Sequence, residues 1–510
     1  MAPRSRHPRT KHLALTLVLT IVGGLVVSAG LVIVTLVLAT NISDSALRNK
    51  EAANTAVTTA LTEEQAFTLP ENTSNVPEAL DESTLVDVVA KNQPAVVRIL
   101  SIYCADISVS VGGAGFSQDD ACSAGVGSGS IISRDGYIAT NGHVAIVTPK
   151  QAIIGSLDSI SEVKRYLTFL IDAKLMAVAD ANTLLNNVIK GTDGAEDELA
   201  ATVERIASSQ VVASDIDTIY AIQLSNEPVR LDRTGARYSV EFDSTIVRAV
   251  LVDKDFDPDA AEKSLQTGQF TTSDVALLKA SGDFPYVTLG DISGVERGDQ
   301  LTAIGFPAFI DGSVDTDQWQ TVPSVTQGKV RDVGTDADVN GRVLLSTSVQ
   351  IAQGNSGGPS FNDAGEQIGI NTYSDLQCQD LKCYGDGLVR DIADLKKLLE
   401  RNNITLEKGG VTDDWANGLD AYTAGNYTEA LNLFTKVKQE YPANYLVSSM
   451  SRLAREQSGT PSDTSGSVQA QSTITIVLVL IGLIVVVIAA TTTFLIIYFN
   501  YRHRQNISGS

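Results

Sequence analysis

The chain has 510 residues, 43% of them hydrophobic and 19% charged, with a formal net charge of −22. That length holds two or three globular units. The acidity excludes nucleic acid as the natural partner, because a phosphate backbone is gripped by basic surfaces. Four histidines, His7, His12, His143 and His503, are too few and too scattered for a metal centre built on several imidazoles. No cofactor motif is present.

Residues 1–12 form a basic tail carrying Arg4, Arg6, Arg9 and Lys11. A charge-free apolar run, Leu13 to Ala39, follows and reads as a transmembrane helix over 13–40. A second charge-free run, Ile474 to Tyr498, reads as another over 473–499, and Arg502 and Arg504 lie in the tail 500–510. Basic flanks on both outer ends predict cytoplasmic termini and an exposed region between the two spans. The tails hold six of the 38 basic residues and none of the 60 acidic ones, so that region carries 32 positive against 60 negative charges, a net of −28. Gly24 and Ser28 in the first span permit helix association and hence a homo-oligomer.

Residues 41–80 read as a polar stalk. PAVVRIL at 94–100 predicts a strand, followed by a polar, glycine-rich loop carrying Cys104 and Cys122. GVGSGSIISRDGYIATNGHV at 125–144 predicts strand, turn, strand, with Asp135-Gly136 at the turn. From about 147 to 212 the periodicity becomes helical, an insertion in a chain that otherwise reads as β. Strand patterns return in TIYAIQL, ARYSVEF, IVRAVLV, VALLKA and LTAIGF, and continue through VLLSTSV and EQIGINTY. DIADLKKLLERN predicts an amphipathic helix that closes this region, which spans 81–405.

Residues 409–458 predict a small helical segment with tetratricopeptide-like spacing, in which Gly418, Gly425, Tyr427, Ala430, Phe434 and Pro442 take the small, turn, aromatic and breaker positions. It reads either as a docking unit for a protein partner or as a helical hairpin spacing the domain from the membrane. A Ser/Gly/Thr linker fills 459–472. The four cysteines Cys104, Cys122, Cys378 and Cys383 permit three pairings, and sequence proximity favours Cys104–Cys122 with Cys378–Cys383. An oxidising compartment makes these disulfide candidates.

Three strings carry chemistry. GNSGGP at 354–359 surrounds Ser356 with glycines, which allow a tight turn and close approach of a substrate. Ser356 reads as a nucleophile, with the amides of Gly354 and Ser356 as an oxyanion hole. TNGHV offers His143, the lone imidazole of the exposed region, as general base and then general acid. TTSDVALLK offers Asp274 at the start of a buried-looking strand to accept the other ring N–H, with Asp253, Asp255 and Asp257 as nearby competitors.

The order His143, Asp274, Ser356 is that of the chymotrypsin-like clan. Residues 85–400 resemble the HtrA/DegP-like trypsin-like serine proteases through PAVVRI, GSGSIISRDGYIATNGHV, SDVALLK, AIGFP, GNSGGPSF and QIGINTY. The resemblance implies a mainly β fold of two six-stranded barrels with the triad at their junction, and endopeptidase activity on extracytoplasmic polypeptides, including protein quality control. It also implies that Gly369, Ile370 and Asn371 lie on a strand that pairs with substrate, and that uncharged Gln350 lies at the base of the primary pocket. The chain departs from the family in the long gap from His143 to Asp274, in Gln353 before the Gly-Asn-Ser, in the second span and in lacking a PDZ domain. The alternative is a non-catalytic scaffold that binds peptides through the protease fold and the tetratricopeptide-like segment.

Overall fold

The computed structural model describes residues 82–465 apart from 233–236, 262–271, 307–321, 337–341, 352–353, 375–376, 380–381 and 385–386, with the backbone alone at a few further strand and helix positions. Both apolar runs assigned to the membrane, and the stalk between 41 and 80, lie outside the described residues. Among the described residues no helix is long and apolar enough to cross a membrane.

Sixteen strands run in chain order: β1 Val96–Val111, β2 Ala114–Ile131, β3 Tyr137–Thr140, β4 Val211–Gln223, β5 Leu231–Asp232, β6 Ser239–Val240, β7 Ile246–Asp255, β8 Val275–Ala280, β9 Gln300–Gly305, β10 Ser324–Asp336, β11 Arg342–Thr347, β12 Pro359–Phe361, β13 Gln367–Ser374, β14 Gln377–Gln379, β15 Lys382–Tyr384 and β16 Gly387–Asp391. Twelve of them close two barrels, in the orders β1-β2-β3-β8-β7-β4 and β10-β11-β16-β13-β12-β9. Closure gives each of these strands a paired neighbour on both sides over at least part of its length. The first is filled by residues such as Leu100, Ile102, Ile219 and Ile246. The second is filled by Leu301, Val330, Leu345, Ile368 and Val389. The double-barrel expectation stands. The strand expected in ARYSVEF shrinks to the two-residue β6 paired with β5, and β10 was not anticipated.

The largest correction concerns residues 101–122, expected as a loop. They continue β1 and β2, of 16 and 18 residues, into one long hairpin. Gly112 and Gly113 turn it, both at positive φ (58° and 90°), as a two-residue hairpin loop requires. Cys104 and Cys122 are directly opposed across the ladder and joined by a disulfide. The Ser, Gly and Asp content hid this segment, because its inner partners come from a distant part of the chain.

Those partners are the inserted helices Pro149–Ser156, Ile160–Asp172, Val178–Lys190 and Ala195–Glu204. Local signals start and stop them. Thr148 and Gln151 form a reciprocal capping box ahead of Pro149, Ser159 caps the amide of Glu162, and Gly191 in the left-handed region ends the third helix. Their apolar faces do not cover the barrel wall. They close on the outer half of the hairpin, where Ile107, Val109 and Phe116 share one core with Tyr166, Phe169, Leu170, Leu184, Leu199 and Val203. Phe116 and Tyr166 meet edge to face with centroids 5.4 Å apart.

The helix Ile392–Arg401, capped by Asp391, follows β16 and packs on β13 and β16 of the second barrel and on β7 and β8 of the first. Helices Val411–Thr423, Tyr427–Glu440 and Leu446–Gln457 follow. Trp415 packs on Phe434 at 5.3 Å, and Gly418 lies so close to Phe434 that a Cβ there would be 2.6 Å away. The Trp415 indole N–H donates to the carbonyl of Ala90 in the helix Glu82–Asn92 at 2.7 Å, and Thr412 Oγ1 accepts from the amide of Tyr286 at 2.9 Å. These contacts seat the start of the helical segment on the barrel body, and it is not a free spacer there. Residues 421–429 and 457–465 belong to a separate small unit, in which Tyr422 stacks edge to face on Tyr427 and the Asp463 carboxylate accepts the amide of Gly459 at 2.8 Å.

Phe116→Ala removes the ring that the insertion closes on. It is expected to cost about 3–5 kcal/mol of local stability. In hydrogen–deuterium exchange, residues 160–204 lose protection before the barrel strands do. Uniform loss across both barrels, or none, contradicts this account of how the insertion is anchored.

Candidate active site

His143 sits in a single helical turn, Gly142–Ala145, directly after β3 of the first barrel. The turn is pinned by a close approach: a Cβ on Gly142 would lie 2.1 Å from Cβ of Phe256. Asp274 immediately precedes β8 and has φ of 53°, a left-handed conformation that short polar residues enter more readily than others. Its surroundings hold it there. The Asn141 side-chain amide donates to the Asp274 carbonyl at 2.8 Å, and the His143 backbone amide donates to Oδ1 at 2.9 Å.

The His143 ring meets Asp274 Oδ2 through Nδ1 at 2.8 Å. The carboxylate is 2% exposed and also accepts the Thr372 hydroxyl at 2.7 Å. Burial pushes this carboxyl up, but the imidazole and the hydrogen bonds from His143 and Thr372 outweigh it and hold the group below the ordinary carboxylate range. An ionised carboxylate can only accept, so Nδ1 carries a proton toward Asp274, and Nε2 is the ring nitrogen left to act as a base.

Thr372 comes from β13 of the second barrel. Its hydroxyl holds Asp274 while its carbonyl accepts the Ser356 hydroxyl at 3.0 Å. One threonine thus touches both the acid and the serine. Among the competing aspartates, Asp253 is taken by Arg401 and Asn402, Asp255 by the amide and hydroxyl of Ser273, and Asp257 by the amides of Asp259 and Ala260.

The Ser356 loop is held by Ser128 on β2. The Ser128 amide donates to the Ser356 carbonyl at 2.8 Å, its hydroxyl donates to the Gly354 carbonyl at 2.7 Å, and that hydroxyl accepts the amide of Phe306 at 2.8 Å. The Gly357 amide donates to the Asn371 carbonyl at 2.8 Å, fixing the next peptide at its other end. Gly354 and Gly357 have φ of 90° and 88°. A Cβ on Gly357 would also lie 2.2 Å from the Ser128 carbonyl and the Thr140 hydroxyl, so glycine is required there on both counts. Arg98 of β1 is buried beside this seam, its guanidinium 4.9 Å from the Phe306 ring centroid, and burial lowers it to about 10.

Gly369, Ile370 and Asn371 are buried, and both edges of this stretch are occupied. β12 or the 357–358 turn bonds one side, and β16 bonds the other. The ladder with β12 ends at Ile370, so among the described residues the edge of β13 facing Ser356 is unpaired by any strand from Thr372 onward. Gln350 is exposed, because strand-like alternation turns its neighbours Val349 and Ile351 into the core. Cys378 and Cys383 are directly opposed in backbone register on β14 and β15, with their side chains outside the described residues.

Thr372 and Ser128 were missed. Both lie inside strings that were singled out, QIGINTY and GSGSII, but a buried Ser or Thr carries no spacing signal of its own. Among the described residues no group of acidic, histidine and cysteine side chains could hold a metal ion.

Two closed barrels with this acid, imidazole and serine at their seam have the architecture of a trypsin-like peptidase, and residues 127–370 match the trypsin-like peptidase domain family. The more particular likeness is to bacterial proteins described as "probable periplasmic serine endoprotease DegP-like". The chain is 39% identical over 112 residues to one from Pseudomonas fluorescens, covering 22% of this chain and 21% of the relative. It is 38% identical over 111 residues to one from Halomonas elongata, with the same shares, and 40% identical over 101 residues to one from Pseudomonas putida, covering 20% and 19%. The chain thus matches about a fifth of the length of these curated relatives.

The depressed Asp274 carboxyl has a signed consequence for stability. It stabilises the fold fully above its unfolded value of about 4, and that stability is lost as the pH falls through the lower folded value. Asp274→Asn is expected to flatten the acid limb of melting temperature against pH. A parallel pair of curves for wild type and variant contradicts the linkage. Ser128→Ala leaves two buried groups, the Gly354 carbonyl and the Phe306 amide, without their hydroxyl. It is expected to destabilise by about 1–3 kcal/mol in urea titration.

Proposed function

We propose that the chain is a serine endopeptidase, with Ser356 as nucleophile, His143 as general base and acid, Asp274 as the residue that orients the imidazole, and Thr372 as the residue that positions Asp274. The observation that carries this is the run of contacts His143 Nδ1 to Asp274 Oδ2 to Thr372 Oγ1, at 2.8 and 2.7 Å, ending on the residue that also holds the Ser356 hydroxyl. Ser356 Oγ attacks the scissile carbonyl as its proton passes to His143 Nε2. The carbonyl oxygen becomes an oxyanion, received by the amides of Gly354 and Ser356. Collapse breaks the C–N bond, and His143 returns its proton to the leaving amine. Water then attacks the acyl-enzyme by the same route and releases the second fragment. Substrate backbone pairs with the edge of β13 beyond Asn371 by strand addition.

The working site faces away from the cytoplasm on a chain anchored by two spans, 13–40 and 473–499. Two charge-free runs with basic outer flanks support this, as does the periplasmic description of the relatives. Extracytoplasmic polypeptides are the substrate class, and removal of damaged proteins is the role that follows from it. No cofactor takes part in this mechanism.

A fluorophosphonate probe is expected to label the wild type and leave Ser356→Ala unlabelled, while peptide turnover falls by roughly four orders of magnitude or more in Ser356→Ala and His143→Ala. Folded wild type that resists the probe, or Ser356→Ala that still reacts, sinks the assignment.

A further inference from the structure

A cavity of about 430 Å³ opens beside His143, and Asp274 is not among its lining residues. Its walls come from three places. Ile146, Pro149 and Lys150 belong to the chain entering the inserted helices, Glu204 and Ser208 to the chain leaving them, and Phe256 to Asp259 to the turn after β7. Without the insertion most of that wall is missing, so the cavity is a product of this chain's own architecture rather than of the two barrels.

We infer that this cavity is a substrate subsite that takes a long basic side chain, lysine or arginine, within a few residues of the scissile bond. The inference rests on the serine-peptidase reading above, since His143 is both the cavity wall and the proposed base. The lining suits an amphipathic cation. Ile146, Val211, Phe256 and Pro258 offer apolar surface for a methylene stem, and Glu204, Asp257 and Asp259 supply carboxylates.

Among the described residues, the one lysine in the wall is already committed. Lys150 is 8% exposed, donates to the Glu204 carbonyl at 3.1 Å and lies 3.5 Å from the Glu204 carboxylate. Counting Lys150 against Glu204, Asp257 and Asp259 leaves two negative charges. The aspartates are exposed and firmly held. Asp257 Oδ1 accepts the amides of Asp259 and Ala260 at 3.0 and 3.3 Å, and Asp259 Oδ1 accepts the Ser208 hydroxyl. Each carboxylate keeps a second oxygen, so a guanidinium or ammonium can be received without breaking the turn. Phe256 packed on Gly142 locks this acidic turn to the helical turn that carries His143, which sets its distance from the reacting bond.

The test is cleavage-site profiling of a peptide library by the full-length protein, with fluorophosphonate labelling of Ser356 in the same samples. Lysine and arginine are expected to be enriched at one position within three residues of the cut. The ratio of kcat/KM for a lysine peptide over its norleucine twin is expected to be about tenfold or more. In Asp257→Asn/Asp259→Asn that ratio falls toward one, and in Asp259→Lys the enrichment shifts to acidic side chains. Both variants keep the acceptor or the exposed position of the original, and retained probe labelling shows that they fold. Labelled enzyme with no basic enrichment, or with the same enrichment in the variants, overturns the subsite alone. Absence of labelling in the wild type overturns the peptidase reading and the subsite together.

Discussion

Everything at the seam depends on one buried carboxylate. Asp274 is 2% exposed, and an ionised carboxylate in such a place is tolerated only when its oxygens are satisfied. The first barrel supplies two donors, the His143 amide and ring, and the second supplies the third, the Thr372 hydroxyl. Neither barrel alone can host the charge. Docking the barrels therefore completes the solvation of Asp274 and, by the same contacts, sets the imidazole tautomer and the position of the serine. Ser128 reinforces the seam from the other side, since one residue of the first barrel binds both the Gly354 and Ser356 carbonyls. Stability and chemistry share these bonds, which is why the backbone there accepts positive φ at Asp274, Gly354 and Gly357.

The second organising feature is the extended β1–β2 hairpin. A barrel wall has only a few residues per strand to spare, yet these two strands run on past it, and their outer half would expose Ile107, Val109 and Phe116 to water. The four inserted helices cover that surface and gain a core they could not form by themselves. Because the insertion leaves the first barrel just after His143 and returns at β4, its two ends lie at the His143 end of the barrel's chain path. The same topology that solves a burial problem thus places polar side chains beside the imidazole.

Much of this was legible beforehand. GNSGGP and TNGHV announced themselves because glycine at a tight turn and a lone histidine are chemically conspicuous, and the switch from period 2 to period 3.6 near residue 147 marked the insertion. The strands misread as loop between 101 and 122 failed for an identifiable reason: Ser, Gly and Asp carry weak β propensity, and the hairpin's apolar residues are explained only by helices later in the chain. Which part of the expected substrate strand lies open was hidden for a similar reason. QIGINTY is recognisable as a string, but which of its residues are sealed by β12 and β16 and which lie beyond the ladder depends on where β12 stops. The resemblance put Gln350 at the base of the primary pocket, and the alternation that buries Val349 and Ile351 turns it outward.

The amino-acid sequence by itself determined many of the barrels' strand patterns and the place of the inserted helices, and it offered His143, Ser356 and a short set of aspartates headed by Asp274 for the chemistry. These are local matters: periodicity, propensity, turn geometry and the rarity of an imidazole. Only the tertiary structure decided which of the acidic residues serves His143, that Thr372 and Ser128 hold the site across the seam, and that the insertion lines a cavity next to the base. Those outcomes join distant stretches of the chain, His143 to Asp274 across 131 positions and Ser128 to Gly354 across 226. A carboxylate, a hydroxyl or a glycine looks the same along the chain wherever it stands, and only burial and a partner within about 3 Å give it a role.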